Sequence, residues 1–186
     1  MFMKKRYECI LIPLLVTLYC VIGTTVQAQE FKQFINGNGY TQIDTENGIS
    51  LQWKVDGKNL RIILNAETTG WLAVGFDPSV KMKDANFIIG FIKNGTLYVR
   101  DEYGTGPEAH LPDTKIGGRE DVSEVSGYEK DGRTEIHFTI PLHSGDAKDK
   151  KLIPGQRYLI LLAFGTADSF SKVHSIEAES KGYITL

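Results

Sequence analysis

A chain of 186 residues, 41% hydrophobic and 24% charged, can bury one substantial core and is too short to build two. Its formal charge is −2, and no basic run follows residue 28, which argues against nucleic acid or an anionic membrane surface as a partner. Both cysteines, Cys9 and Cys20, fall in the first 28 residues, so the remainder has no disulfide, no thiolate metal site and no C-x-x-C-H haem attachment.

Residues 1–28 read as a signal peptide. Lys4, Lys5 and Arg6 precede an apolar run from Cys9 to Gly23 that is broken by Pro13, and Val26-Gln27-Ala28 supplies the small residues a signal peptidase needs. That run of about 15 residues is short against the roughly 20 that span a bilayer. Tyr19 stands directly before Cys20, where a lipoprotein signal takes a small side chain. The expectation is cleavage near Ala28 and release to the periplasm or the outside, leaving residues 29–186 as one mildly acidic domain.

After a Gly/Asn-containing lead-in over 29–38 that is expected to be mobile, the chain becomes a succession of short β-branched and aromatic runs. Strands are predicted over 39–43, 49–55, 59–66, 70–76, 86–93, 96–101, 123–130, 134–141, 157–165 and 182–186. Asp56-Gly57, Asn94-Gly95 and Asp131-Gly132 each separate two runs, the strongest short-range hairpin signal. Ile136, Phe138 and Ile140 alternate with Glu135, His137 and Thr139, as in a half-buried strand. NFIIGFI and YLILLAF are instead apolar on both faces, which requires the core on one side and a loop, ligand or partner on the other. The pattern predicts an all-β, antiparallel two-sheet β-sandwich, immunoglobulin-like, of about ten strands. Segments 102–122 and 142–156 read as long irregular loops.

Familiar catalytic signatures are missing. There is no glycine-rich phosphate loop, G-x-S-x-G elbow or H-E-x-x-H pair, and the histidines are scattered at 110, 137, 143 and 174. Asp101, Asp113 and Glu120 are candidates for paired acid–base work, but loop carboxylates of an acidic protein are usually solvated surface. The expectation is therefore a non-enzymatic domain. Met82 is the residue to explain, because it lies in a polar loop with Pro78, Lys81, Lys83 and Asp84, where a thioether has no evident core to fill. A second loop, GTADSFSKVHSIE, carries His174 after an apolar strand. By themselves these two residues read as readily as a gap filler and a surface histidine.

The run Trp71-Leu-Ala-Val-Gly-Phe76, the loop Met82-Lys-Asp-Ala-Asn86 leading into Phe-Ile-Ile-Gly90, Tyr98-Val-Arg-Asp101, Ile140-Pro-Leu, and Ala-Phe-Gly165 followed by His174 together resemble the DOMON family, in the same order and at similar separations. The resemblance covers residues 39–186. In haem-binding members, such as the cytochrome domain of cellobiose dehydrogenase, a b-type haem sits at one end of a sandwich between an axial Met and an axial His. The resemblance assigns those roles to Met82 and His174, on loops at the same end. It implies a noncovalent haem b in a slot for which Trp71, Phe87, Ile89, Phe91 and Phe164 are candidate lining residues. A thioether and an imidazole fill both axial positions and raise the potential, which suits single-electron transfer to a redox partner such as a membrane cytochrome or a dehydrogenase. The same family leaves open a carbohydrate or other small-ligand module without haem, and, further off, an accessory subunit of a cell-surface complex.

Overall fold

The structure is a computed structural model that describes residues 28–175 and 178–186. Residues 1–27 of the predicted leader lie outside the described residues. Two sheets face each other. The larger has the order β1(Gln29–Glu30), β13(Glu179–Thr185), β12(Arg157–Phe164), β6(Leu72–Phe76), β7(Asn86–Lys93), β8(Thr96–Gly106), β9(Ala109–Pro112). The smaller has the order β10(Ser123–Lys130), β11(Arg133–Pro141), β5(Asn59–Ala66), β4(Ser50–Asp56), β3(Thr41–Asp44), β2(Phe34–Ile35). All pairings are antiparallel except β1 with β13.

Local chemistry sets the register. Asn94 and Gly95, and likewise Asp131 and Gly132, both take positive φ, the type I′ geometry whose twist matches the flanking strands. Lys93 therefore faces Thr96, and Lys130 faces Arg133. With register set, alternation sends one face of each strand inward. Leu51, Trp53, Leu60, Ile62, Leu64, Ile136, Phe138 and Ile140 of the smaller sheet meet Leu72, Val74, Phe76, Ile88, Ile160 and Leu162 of the larger in one core. Burying each such aliphatic side chain contributes about 1.5–3 kcal/mol.

The ten predicted strands are present. Two parts of the reading are corrected. The lead-in is pinned to both sheets: β1 pairs with β13, β2 pairs with β3, and Phe31 enters the core at 8% exposure. Burial of that ring offsets the entropy of ordering the segment. The 102–122 segment is partly regular, because β8 runs on to Gly106 and returns as β9, followed by a 3-10 turn, Asp113–Lys115. Segment 142–156 is irregular as expected and is held by Leu152, which is buried in the core and donates its amide to the Leu142 carbonyl.

Candidate functional site on the outer face of the larger sheet

Side chains alternate along β6, β7 and β12, so each residue that skips the core points to the opposite face. Ala73, Phe87, Ile89 and Phe91 do so, joined by Trp71 and Ala85, and all six are at most 7% exposed. An outer sheet face this dry needs a cover. The cover consists of two loops, one carrying Met82 and the other Phe170, with Leu161 and Ala163 of β12 flanking the cluster. Gly75 shapes its floor: a Cβ there would come 2.7 Å from Cδ1 of Phe87, so glycine is what lets that ring lie across the neighbouring strand.

The Met82 loop is clamped to β8 through backbone. Met82 N–H donates to the Pro107 carbonyl (3.2 Å), Asp84 N–H to the Gly104 carbonyl (2.7 Å), and Gly104 N–H to the Ala85 carbonyl (2.9 Å). A Cβ on Gly104 would overlap the Met82 carbonyl group and stand 3.1 Å from the Ala85 nitrogen. Lys81 and Asp84 both take positive φ. The Asp84 carboxylate accepts hydrogen bonds from the Ser79 and Tyr103 hydroxyls, which hold its pKa below the usual carboxylate value.

His174 meets the cluster from the other side, its ring edge-on to Trp71 at 6.0 Å between centroids. Its Nδ1 lies 2.8 Å from the Ser175 carbonyl. A carbonyl only accepts, so Nδ1 carries a proton and donates it, the tautomer that puts the ligating lone pair of an imidazole on Nε2. Nε2 stands 3.7 Å from a Glu179 carboxylate oxygen, and the side chain is 29% exposed. The buried Trp71 Nε1–H has no acceptor among the described residues, which costs about 1–3 kcal/mol if nothing fills it.

The rim on the β8 side is polar and aromatic. The Arg100 guanidinium lies 3.9 Å over the Phe170 ring, Phe170 touches Phe91, and Phe91 stacks on Tyr98. Glu102, with its side chain 3% exposed, is bonded to His110, whose ring lies 5.7 Å from Phe87.

Of the residues singled out from sequence, Trp71, Met82, Phe87, Ile89, Phe91 and His174 surround this one cluster. Phe164 does not, because it falls on the inward register of β12 and packs against the main core. The two loops also do not leave from one end of the sandwich. Leu72 pairs with Phe164, while Phe76 pairs with Ile160 and Asn86. Loop 77–85 and the loop after Phe164 therefore start at opposite ends of β6, roughly 13 Å apart at about 3.3 Å per residue, and both fold back over its outer face. Arg100, Glu102, His110 and Phe170 were missed. The period-2 spacing of Tyr98, Arg100 and Glu102 was the available signal, but which face of β8 looks outward depends on pairing with β7.

The sequence model of the DOMON domain matches residues 45–165. The chain belongs to the DOMON family. The matched span includes Met82 and stops short of His174. Among curated relatives, the human DBH-like monooxygenase protein 1 is 30% identical over 112 residues, 60% of this chain and 18% of that protein. MOXD1 homolog 2 of Drosophila melanogaster is 22% identical over 126 residues, 68% of this chain and 16% of that protein. The chain thus matches less than a fifth of the length of these relatives. Among solved structures, this DOMON domain resembles the cytochrome b domain of pyranose dehydrogenase from Coprinopsis cinerea, with a TM-score of 0.62 at 13% identity, covering 84% of this chain and 88% of that one. It also resembles the cytochrome domain of Myriococcum thermophilum cellobiose dehydrogenase, with a TM-score of 0.56 at 12% identity, covering 86% and 90%. At those identities the likeness is one of fold.

Proposed function

We propose that this DOMON domain is exported, binds haem b noncovalently against the outer face of its larger sheet, and passes single electrons to a protein partner. The observation that carries the reading is that a methionine and a histidine on separate loops both border one dry, aromatic-rich cluster. Three features fit a haem. Met82 and His174 would offer a thioether and an imidazole, a donor pair that suits electron transfer by haem iron. The face is apolar and aromatic-rich, lined by Ala73, Phe87, Ile89 and Phe91, the lining a noncovalently held porphyrin needs. The orphaned Trp71 indole N–H is a buried donor in want of an acceptor. Solved structures of similar fold include a cytochrome b domain and a cytochrome domain, which supports the same reading.

When bound, the haem supplies a one-electron iron couple, which thioether ligation poises toward the ferrous form. The chain's own residues do the rest. The Ser175 carbonyl holds the His174 proton on Nδ1 and presents Nε2 as the basic atom. The clamp on Gly104 places the Met82 loop. Phe87, Ile89 and Phe91 exclude water. The partner is a redox protein, a membrane cytochrome or a dehydrogenase. Leader removal near Ala28 belongs to the same proposal. Among the described residues no helix is long and apolar enough to cross a membrane.

The deciding experiment is to purify the protein from haem-sufficient cells and record its visible spectrum oxidised and reduced. Sharp low-spin bands that disappear in His174→Ala are expected. A colourless protein that also fails to bind added haemin would overturn the reading. Saccharide binding at the Tyr98–Arg100 rim by such a protein would put a haem-free carbohydrate module in its place.

A further inference from the structure

Away from the cluster, three carboxylates converge from separate segments. Asp101 lies on β8, Asp113 opens the 3-10 turn, and Asp149 sits in segment 142–156; each contributes an oxygen to a group whose members all lie within 4.8 Å of one another. Solvated surface was the expectation from sequence for Asp101 and Asp113. Instead each is 1% exposed.

Their hydrogen bonding is incomplete. Asp101 Oδ2 accepts the Asp121 amide at 3.2 Å, but Oδ1 has no partner among the described residues, and neither oxygen of Asp113 has one. Asn86, 5% exposed, donates its side-chain amide to Asp149 Oδ1 at 2.8 Å, and its own Oδ1 is buried with no partner among the described residues. That assignment of the amide follows from chemistry, since a carboxylate only accepts. Four buried oxygens without donors, one of them neutral, are costly to leave bare and form the inner lining of a hard-cation site.

Nearby charge points the same way. Asp121, Asp146 and Glu120 add negative charge around the group, against Lys148, which acts on Asp113. Lys148 stands 5.1 Å over the Tyr103 ring, and the Arg119 guanidinium is engaged by Asp121 and by the Ser144 carbonyl. With no cation bound, burial and the neighbouring carboxylates push Asp101 up to about 9, Asp113 to about 7 and Asp149 to about 6. The fold therefore holds protons at neutral pH where a dication would serve better.

We propose that Asp101, Asp113, Asp149 and the Asn86 carbonyl oxygen form a divalent-cation site of the calcium type. All the donors are oxygen, which selects a hard cation over zinc or copper. They come from four separated segments, three of them buried and Asp149 half-buried, which suits the irregular six- to eight-oxygen shell of calcium better than the strict, water-keeping octahedron of magnesium. Bound there, the ion would tie β7, β8, the 3-10 turn and segment 142–156 together at the root of the Met82 loop. The site does not depend on the haem reading.

The test uses the full domain stripped with chelator at pH 7. Calcium is expected to raise the melting temperature saturably at or below about 1 mM, the range of extracellular calcium modules, with magnesium at least tenfold weaker. Calorimetry in two buffers of different ionisation enthalpy should show protons leaving as calcium enters. Asp113→Asn and Asp101→Asn should each abolish the shift while melting no lower than the parent in chelator, because each replaces a buried acid that resists ionisation with a neutral side chain of the same shape. Tyr103 gives a second readout through sensitised terbium luminescence. A parent whose melting and calorimetry ignore calcium at about 10 mM, well above that range, would overturn the proposal, as would an Asp113→Asn protein that binds calcium as the parent does. Should either variant not fold, the parent titration decides by itself.

Discussion

Gly104→Ala isolates the device that positions Met82. The added Cβ would stand 2.9 Å from the Met82 carbonyl carbon and nearer still to its oxygen, where ordinary contacts begin at 3.4 Å. The loop must then retreat by about 1 Å or more, because the obstacle is backbone rather than a flexible side-chain tip. Such a retreat disrupts the three hydrogen bonds that join the loop to β8 and its return. At about 1 kcal/mol net for each, roughly 3 kcal/mol is at stake. Restricting the unfolded chain returns about 0.4–1 kcal/mol. The net loss of about 2–3 kcal/mol corresponds to a fall of roughly 5–10 °C in Tm for a domain of this size. Gly106→Ala is the paired control, because its Cβ would meet only the Ala109 Cβ, at 3.7 Å, and it should melt within about 2 °C of the parent. Differential scanning calorimetry of the three proteins reads this directly, with haemin titration as the second measurement. Equal Tm for Gly104→Ala and Gly106→Ala would refute the clamp.

His174→Ala should lose stable low-spin haem, whereas Met82→Ala should retain haem but with a lower potential and an open site for small ligands; the reduced visible spectrum and a redox titration check both, and unchanged spectra in the two variants would sink the assignment. In chelator, the raised pKa values of Asp101, Asp113 and Asp149 mean that the folded state holds protons which the unfolded state has released. Stability from this group is therefore complete below about pH 4 and falls as pH rises toward about 9; melting curves across that range should show the decline, flattened in Asp101→Asn, and a rise instead would refute the buried cluster. Ile136→Ala, 2% exposed between the sheets, should cost about 2–5 kcal/mol, measured by denaturant unfolding, with the loss smaller if the core collapses into the space.

By itself the sequence determined nearly everything that depends on neighbours along the chain. Paired positive-φ residues dictated the hairpins at 94–95 and 131–132, alternation dictated which residues of β11 face inward, and the doubly apolar runs of β7 and β12 required a cover on their second face. It also marked Met82 as out of place in a polar loop. Pairing between strands decided the rest. Whether Phe164 faces the core or the outer cluster turns on a single residue of register, and the loops carrying Met82 and His174 lie on one face despite leaving opposite ends of β6. The burial of Asp101 and Asp113 had no local signature at all. Their environment is assembled from β7, β8, the 3-10 turn and segment 142–156, and the desolvation that changes their chemistry is a property of that assembly rather than of any stretch of chain.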